Sequence, residues 1–121
     1  MTGQFKRGFA PPTDIVEMPD RLLIIVEIAG MQPDDFSISL LNRRLIISGV
    51  RRPPLDEFKA LHRLEIGYGE FRIDLMLPYP VDSEQVSASY REGFLQIELP
   101  RRPEMNIPVV DVGAQKEDMH D

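Results

Sequence analysis

The 121-residue sequence contains neither cysteine nor tryptophan, and it has only two histidines. Without cysteine there is no disulfide framework, no thiolate metal site and no thiol nucleophile, and such a composition suits a reducing cytoplasm. Long hydrophobic runs are also absent, since the longest aliphatic run covers residues 22–26, far short of a bilayer-crossing segment. No apolar segment follows the early charges Lys6 and Arg7. The sequence therefore predicts a soluble, unexported, cytoplasmic protein with no membrane partner.

An excess of positive charge is missing as well, because the net charge is −6 at pH 7. Sequence-independent nucleic-acid binding needs a basic face, so the charge balance argues against a nucleic-acid partner. The arginines include three pairs, each beside an aliphatic run: Arg43-Arg44, Arg51-Arg52 and Arg101-Arg102. We interpret these pairs as charges that keep strand ends from pairing with other chains, in preference to a phosphate-binding role.

Groups that could support catalysis are scarce. Neither His62 nor His120 has a helix-spaced partner, which argues against a metal site or a catalytic base. Residues 67–69, Gly-Tyr-Gly, lack the third glycine of a phosphate loop and precede a strand rather than a helix. A nucleophile elbow is absent too. The sequence predicts a protein that is not an enzyme and that needs no cofactor or metal.

The apolar residues occur in short runs separated by turn signals, a pattern typical of an all-β domain. Strict alternation in residues 36–40 and 71–77 predicts strands with one buried and one exposed face. Asn42-Arg43 predicts a tight hairpin. The complete set of predicted strands is 13–18, 22–28, 36–40, 44–50, 71–77, 86–90 and 94–99, with a further short strand at 61–66. Such a set predicts an immunoglobulin-like antiparallel β-sandwich.

The domain boundaries follow from the same pattern. The sequence predicts a short flexible arm at residues 1–12, which carries Phe5 and Phe9. It predicts the sandwich domain at residues 13–101 and a flexible extension at residues 102–121. Within the domain, Pro53-Pro54 opens a long excursion (residues 53–69) before the next regular strand. A loop of this length in a small domain usually has a function.

Residues 88–95, Ala-Ser-Tyr-Arg-Glu-Gly-Phe-Leu, resemble the A-x-x-x-n-G-v-L motif of the small heat-shock protein (α-crystallin) family. Segments resembling that family's opening and middle strands precede the motif in the expected order, so the resemblance covers about residues 11–101. Behind them, Ile107-Pro108-Val109 is similar to the family's I-x-I/V tail motif. Each segment is weak alone, and together they are specific.

The resemblance implies a homodimer in which the excursion crosses to a second subunit and adds a strand to the partner's first strand. Unpaired backbone groups on an edge strand favour such an addition. The alternative is an excursion folded over its own domain. The residues implied in the exchange are Leu61, His62, Arg63, Leu64 and Glu65 of one chain with Thr13, Asp14, Ile15, Val16 and Glu17 of the other.

The resemblance also implies that the tail motif docks into a groove between the edge strands of the two sheets, which would build a higher oligomer. Ile107 and Val109 are two residues apart, so an extended segment presents both on one side. The alternative is a chance aliphatic pair in a loose tail. The implied groove lining is Phe36, Ile38, Leu40, Val86, Ala88 and Tyr90.

The activity implied by the resemblance is that of an ATP-independent holding chaperone, which binds the exposed hydrophobic surface of unfolding client proteins. Candidate client contacts are Phe5, Phe9 and the groove. Two features depart from the family pattern: only about twelve residues precede the domain, where many relatives have a longer arm, and Ile73 stands where the family usually has arginine. Two alternatives therefore stay open, a structural or regulatory dimeric subunit with weak holdase activity and a co-chaperone β-sandwich module.

Overall fold

The computed structural model describes residues 8–103 and 106–113. Their fold is all-β, with two short 3₁₀ turns at Pro33–Asp35 and Ser83–Gln85. The seven strands are β1 (Thr13–Glu17), β2 (Arg21–Glu27), β3 (Phe36–Leu41), β4 (Arg44–Arg51), β5 (Gly69–Met76), β6 (Ser87–Arg91) and β7 (Phe94–Pro100).

The strands form two antiparallel sheets. One sheet has four strands in the order β1-β2-β7-β6, and the other has three in the order β3-β4-β5. The prediction of an antiparallel β-sandwich is therefore confirmed. In this topology β1 and β6 are the edges of the larger sheet, and β3 and β5 are the edges of the smaller one.

The core lies between the inner faces of the two sheets. Alternation along β2 and β7 places Ile24 opposite Ile97, and both side chains are fully buried. Leu45 and Ile47 of β4 close the core from the smaller sheet. Each fully buried aliphatic side chain stabilises the fold by about 1.5–3 kcal/mol, so the alternating pattern holds the two sheets together.

Two tight hairpins connect neighbouring strands. The β3–β4 turn lies at Asn42-Arg43, as predicted, with Asn42 in the left-handed region at φ 56°. The β6–β7 turn places Glu92 and Gly93 at φ 53° and 86°. Asparagine and glycine tolerate such backbone angles best, so Asn42 and Gly93 indicate the two turns in the sequence.

The short strand predicted at residues 61–66 is not formed within the chain. A strand needs a hydrogen-bonded neighbour, and these residues pair with no strand among the described residues. The apolar side chains at 61, 64 and 66 are not sufficient to form a strand without a partner edge.

Residues 8–12, the described part of the arm, contact the sandwich. The backbone N–H of Phe9 donates to the carbonyl oxygen of Glu70 at 3.2 Å, and Glu27 donates to the carbonyl of Pro12 at 3.0 Å. Pro11 is buried. The arm therefore approaches β1 along the surface of its own domain.

Candidate functional site

A groove lies between β3 and β6, the edge strands at the same side of the sandwich. It encloses a cavity of about 170 Å³. Four of the predicted lining residues border this cavity, while Leu40 and Val86 are partly buried against the core and do not. The residues that line it are Pro33, Phe36, Ile38, Ala88, Ser89, Tyr90 and Leu95.

Aromatic contacts define the wall of the groove. The rings of Phe36 and Tyr90 lie 5.2 Å apart, and Phe36 also contacts the ring of Phe71 at 6.2 Å. The hydroxyl of Tyr90 donates to the carbonyl of Ile28 at 2.7 Å and accepts from the N–H of Met31 at 3.3 Å. These two hydrogen bonds hold the Tyr90 ring in place, so the groove has a preformed apolar side.

The tail motif is available for contacts outside its own domain. Ile107 is 74 % exposed and Val109 is 95 % exposed. Covering a large aliphatic side chain with an apolar surface lowers the free energy of the system. Within the single chain, the two side chains of the motif therefore remain exposed to water.

The outer edge of β1 is a second surface with unused bonding capacity. Among the described residues β1 pairs with β2 alone, which leaves the backbone groups of its other edge open. Ile15 and Val16 on this strand are 47 % and 37 % exposed. An edge with apolar side chains favours the addition of another strand.

The excursion presents apolar side chains to solvent. Leu64 is 38 % exposed, close to the value for Leu61, and Ile66 is more exposed still. Arg63 and Glu65 point to solvent and lie 4.0 Å apart. The residues predicted for strand exchange are thus accessible on both β1 and the excursion, but within one chain the two segments do not pair.

Of the two candidate client contacts, Phe5 lies outside the described residues. Phe9 is partly buried, and its ring lies 5.7 Å from that of Phe71. In this structure Phe9 therefore covers the end of the core.

Sequence reasoning missed the role of Arg51. Its guanidinium donates from Nε and from Nη2 to the carbonyl of Gly67, and from Nη1 to the carbonyl of Ala29 at 3.2 Å. The same group lies 4.6 Å from the centre of the Phe9 ring. The interpretation of the arginine pairs as strand-end charges does not predict these contacts. The contacts join segments that are distant in the sequence, so no local pattern indicates them.

An ion pair crosses the outer face of the smaller sheet. Arg44 donates from Nε to Asp74 Oδ1 at 3.0 Å and from Nη2 to Oδ2, while Arg72 approaches the same carboxylate at 3.7 Å. The hydrogen bonds from Arg44 lower the pKa of Asp74, and the same pairing raises the pKa of Arg44. Ile73, where the resemblance implies an arginine, packs partly buried against the core. The charged side chain of Asp74 on β5 therefore forms an ion pair with Arg44 on the neighbouring strand β4.

None of the described residues belongs to a helix long and apolar enough to cross a membrane. Within the same part of the chain, no group of three or more histidine, aspartate or glutamate side chains could hold a metal ion.

The two antiparallel sheets, the groove between β3 and β6 and the excursion between β4 and β5 define an α-crystallin-type sandwich. The model of the Hsp20/alpha crystallin family matches residues 14–112. The chain belongs to this family.

Individual relatives agree with this assignment. The small heat-shock protein from Xylella fastidiosa, whose crystal structure has a distinct high order structure, superposes with a TM-score of 0.76 at 27 % identity, over 87 % of this chain and 97 % of that one. HspA from Xanthomonas axonopodis gives a TM-score of 0.73 at 28 % identity, over 80 % and 98 %.

Among sequences, the 17.7 kDa class II heat shock protein of Arabidopsis thaliana is 30 % identical over 97 residues, which is 78 % of this chain. The chain spans 62 % of the length of this curated relative.

Proposed function

We propose that this chain is an ATP-independent holding chaperone of the cytoplasm, which binds the exposed hydrophobic surface of unfolding proteins and keeps them from aggregating. The observation that carries the proposal is the apolar groove between β3 and β6 together with the exposed tail pair Ile107 and Val109. Family membership supports a chaperone role. Client binding by apolar contact needs no nucleotide.

The proposed higher assembly forms when the tail of one subunit enters the groove of another. Burial of two aliphatic side chains gains about 3–6 kcal/mol, while association and ordering of a tail cost about 4–15 kcal/mol. A single docked tail is therefore weak, and several tails in one assembly hold together through multivalency. A contact of this strength can open and close, so grooves covered at rest become available to clients.

The proposed dimer forms when residues 61–65 of the excursion add to β1 of a partner. Residues 53–60 can span at most about 28 Å, which is enough to reach an adjacent domain. The addition would satisfy the open backbone edge of β1 and cover Ile15 and Val16. It would also give residues 61–66 the neighbouring strand that they lack within one chain.

The function is tested by light scattering of a heat-aggregating client protein titrated with this chain. Suppression of scattering at a roughly equimolar ratio is expected from a holdase. Undiminished scattering at several-fold excess contradicts holdase activity and favours a structural or regulatory subunit. The same titration with ATP added should give the same curve, because the proposed contact uses no nucleotide.

The assembly is tested by sedimentation of the double variant Ile107→Ala, Val109→Ala. The variant should sediment as a smaller species, near a dimer, because the side chains that dock have been removed. The matched control is Val110→Ala, Val112→Ala, which removes two neighbouring exposed valines outside the motif and should leave the assembly intact. Equal sizes for both variants and the wild type would refute tail docking, and a monomeric wild type would favour the co-chaperone module.

A further inference from the structure

Arg51, the last residue of β4, lies where three segments of the chain meet. Its guanidinium donates from Nε to the carbonyl of Gly67 at 2.9 Å, and Nη2 donates to the same oxygen. A third donor, Nη1, reaches the carbonyl of Ala29 at 3.2 Å. One side chain thereby joins the returning end of the excursion to the turn that follows β2.

The same guanidinium also contacts two aromatic rings. Its central carbon lies 4.6 Å from the ring centre of Phe9 and 5.6 Å from that of Tyr68. Phe9 belongs to the arm, and Tyr68 belongs to the excursion. A planar cation attracts aromatic faces while its edge donates hydrogen bonds, so Arg51 links the arm and the excursion through one group.

The fit between the arm and the excursion is close. A Cβ atom at Gly67 would lie 2.7 Å from the Cβ of Phe9, nearer than real contacts allow. The N–H of Phe9 donates to the carbonyl of Glu70, and its ring packs on Phe71. Phe9 is therefore in close contact with the returning end of the excursion as well as with β5.

We propose that Arg51 is a positioning residue that couples the arm to the excursion. It fixes the root from which the excursion reaches a partner subunit, and it keeps Phe9 covered against Phe71. When the Arg51 contacts open, Phe9 becomes available to apolar ligands and the excursion loses its fixed root. The part that concerns the partner subunit rests on the proposed strand-exchange dimer, whereas the coupling inside one chain does not.

The chemistry requires arginine rather than any cation. Lysine keeps the charge and can lie over an aromatic ring, but its ammonium cannot present a planar fork to two carbonyl oxygens. Arg51→Lys should therefore hold Phe9 better than Arg51→Ala while it still frees the excursion. A role limited to net charge would make the lysine variant equal to the wild type.

The experiment is hydrogen–deuterium exchange of the full chain in the wild type, Arg51→Ala and Arg51→Lys, with Arg52→Ala as the matched control. Loss of a charge-assisted hydrogen bond at the returning end of the excursion should speed exchange of the amides in residues 69–71, where β5 begins to pair with β4, about tenfold in Arg51→Ala. Arg52→Ala removes an exposed neighbouring charge and should leave exchange unchanged. Equal exchange in Arg51→Ala and Arg52→Ala would overturn the proposal.

The exposure of the arm is measured separately in a Phe9→Trp variant, whose fluorescence comes from a single tryptophan because the chain has none of its own. Acrylamide should quench this tryptophan more strongly when Arg51→Ala is added, and Arg52→Ala should have no effect. Coupling must act in both directions, so Phe9→Ala alone should speed amide exchange in residues 69–71. Exchange that is insensitive to Phe9→Ala would show that the two segments move independently, and it would overturn the coupling.

Gly67→Ala provides a second route if Arg51→Ala does not fold. The added methyl group displaces Phe9 and leaves the guanidinium present, so quenching at position 9 and amide exchange at residues 69–71 should rise together. A rise in one without the other contradicts the coupling. Sedimentation distinguishes the two proposals: a monomeric wild type refutes the strand-exchange dimer, while quenching and amide exchange still report on the Arg51 contacts.

Discussion

At the scale of single residues, the side chains that shape the site combine apolar bodies with a few placed hydrogen bonds. Tyr90 is the clearest case, because its ring forms a wall of the groove while its hydroxyl bonds to Ile28 and Met31. The ring could be predicted from alternation along β6, but the hydroxyl bonds could not. They depend on the turn after β2, which lies about 60 residues away in the sequence.

The ion pair on the outer face gives a prediction about pH. The pKa of Asp74 is lowered in the folded chain by the hydrogen bonds from Arg44, so the pair stabilises the fold above the ordinary aspartate pKa of about 3.9. That contribution is lost as the pH falls through the lowered pKa. Asp74→Asn should therefore show a shallower loss of stability below about pH 4 than the wild type, measured as the urea midpoint against pH.

Arg44→Gln is the control for this prediction, because it removes the partner and keeps the carboxylate. Arg44→Gln should lose most, but not all, of the acid dependence that Asp74→Asn loses, because Arg72 still approaches the carboxylate at 3.7 Å and helps to lower the pKa of Asp74. Parallel profiles for Asp74→Asn and the wild type would mean that the pair makes no net contribution, which is common for exposed ion pairs.

At the scale of strands and loops, periodicity predicts the elements whose partners lie in the same chain. β2, β4 and β7 are bounded by turn residues and bury alternate side chains, so their pattern and their structure agree. The excursion is the segment for which periodicity does not predict the structure of the single chain. Residues 61–66 form a short run with apolar side chains at 61, 64 and 66, yet the neighbour that a strand requires is not among the described residues of this chain.

The excursion also supplies a prediction about the proposed dimer. Leu64→Asp places a charge where an apolar side chain would be buried on strand exchange, so it should shift the dimer towards monomers in sedimentation equilibrium. Leu55→Asp is the matched control: Leu55 is in the same excursion, is 64 % exposed, and lies outside the exchanged residues. Equal dissociation constants for the two variants would contradict pairing through residues 61–65.

At the scale of the whole molecule, the chain has surfaces that one copy cannot satisfy: the open edge of β1, the groove between β3 and β6, and the exposed tail pair. Sequence reasoning predicted the sandwich and four of the residues that line the groove. It did not predict the packing of Phe9 on Phe71 or the contacts of Arg51. Those arise from the meeting of arm, turn and excursion, which no local pattern records.

The most direct test of the proposed assembly uses the absence of cysteine from the chain. Ala88→Cys, in the groove, and Val109→Cys, in the tail, are prepared as separate, differently tagged proteins, mixed and oxidised. Tail docking predicts a disulfide between the two tagged chains, and far less product when the groove cysteine is replaced by Ser39→Cys on the exposed face of β3. Equal yields from Ala88→Cys and Ser39→Cys would contradict docking of the tail in the groove of a second subunit.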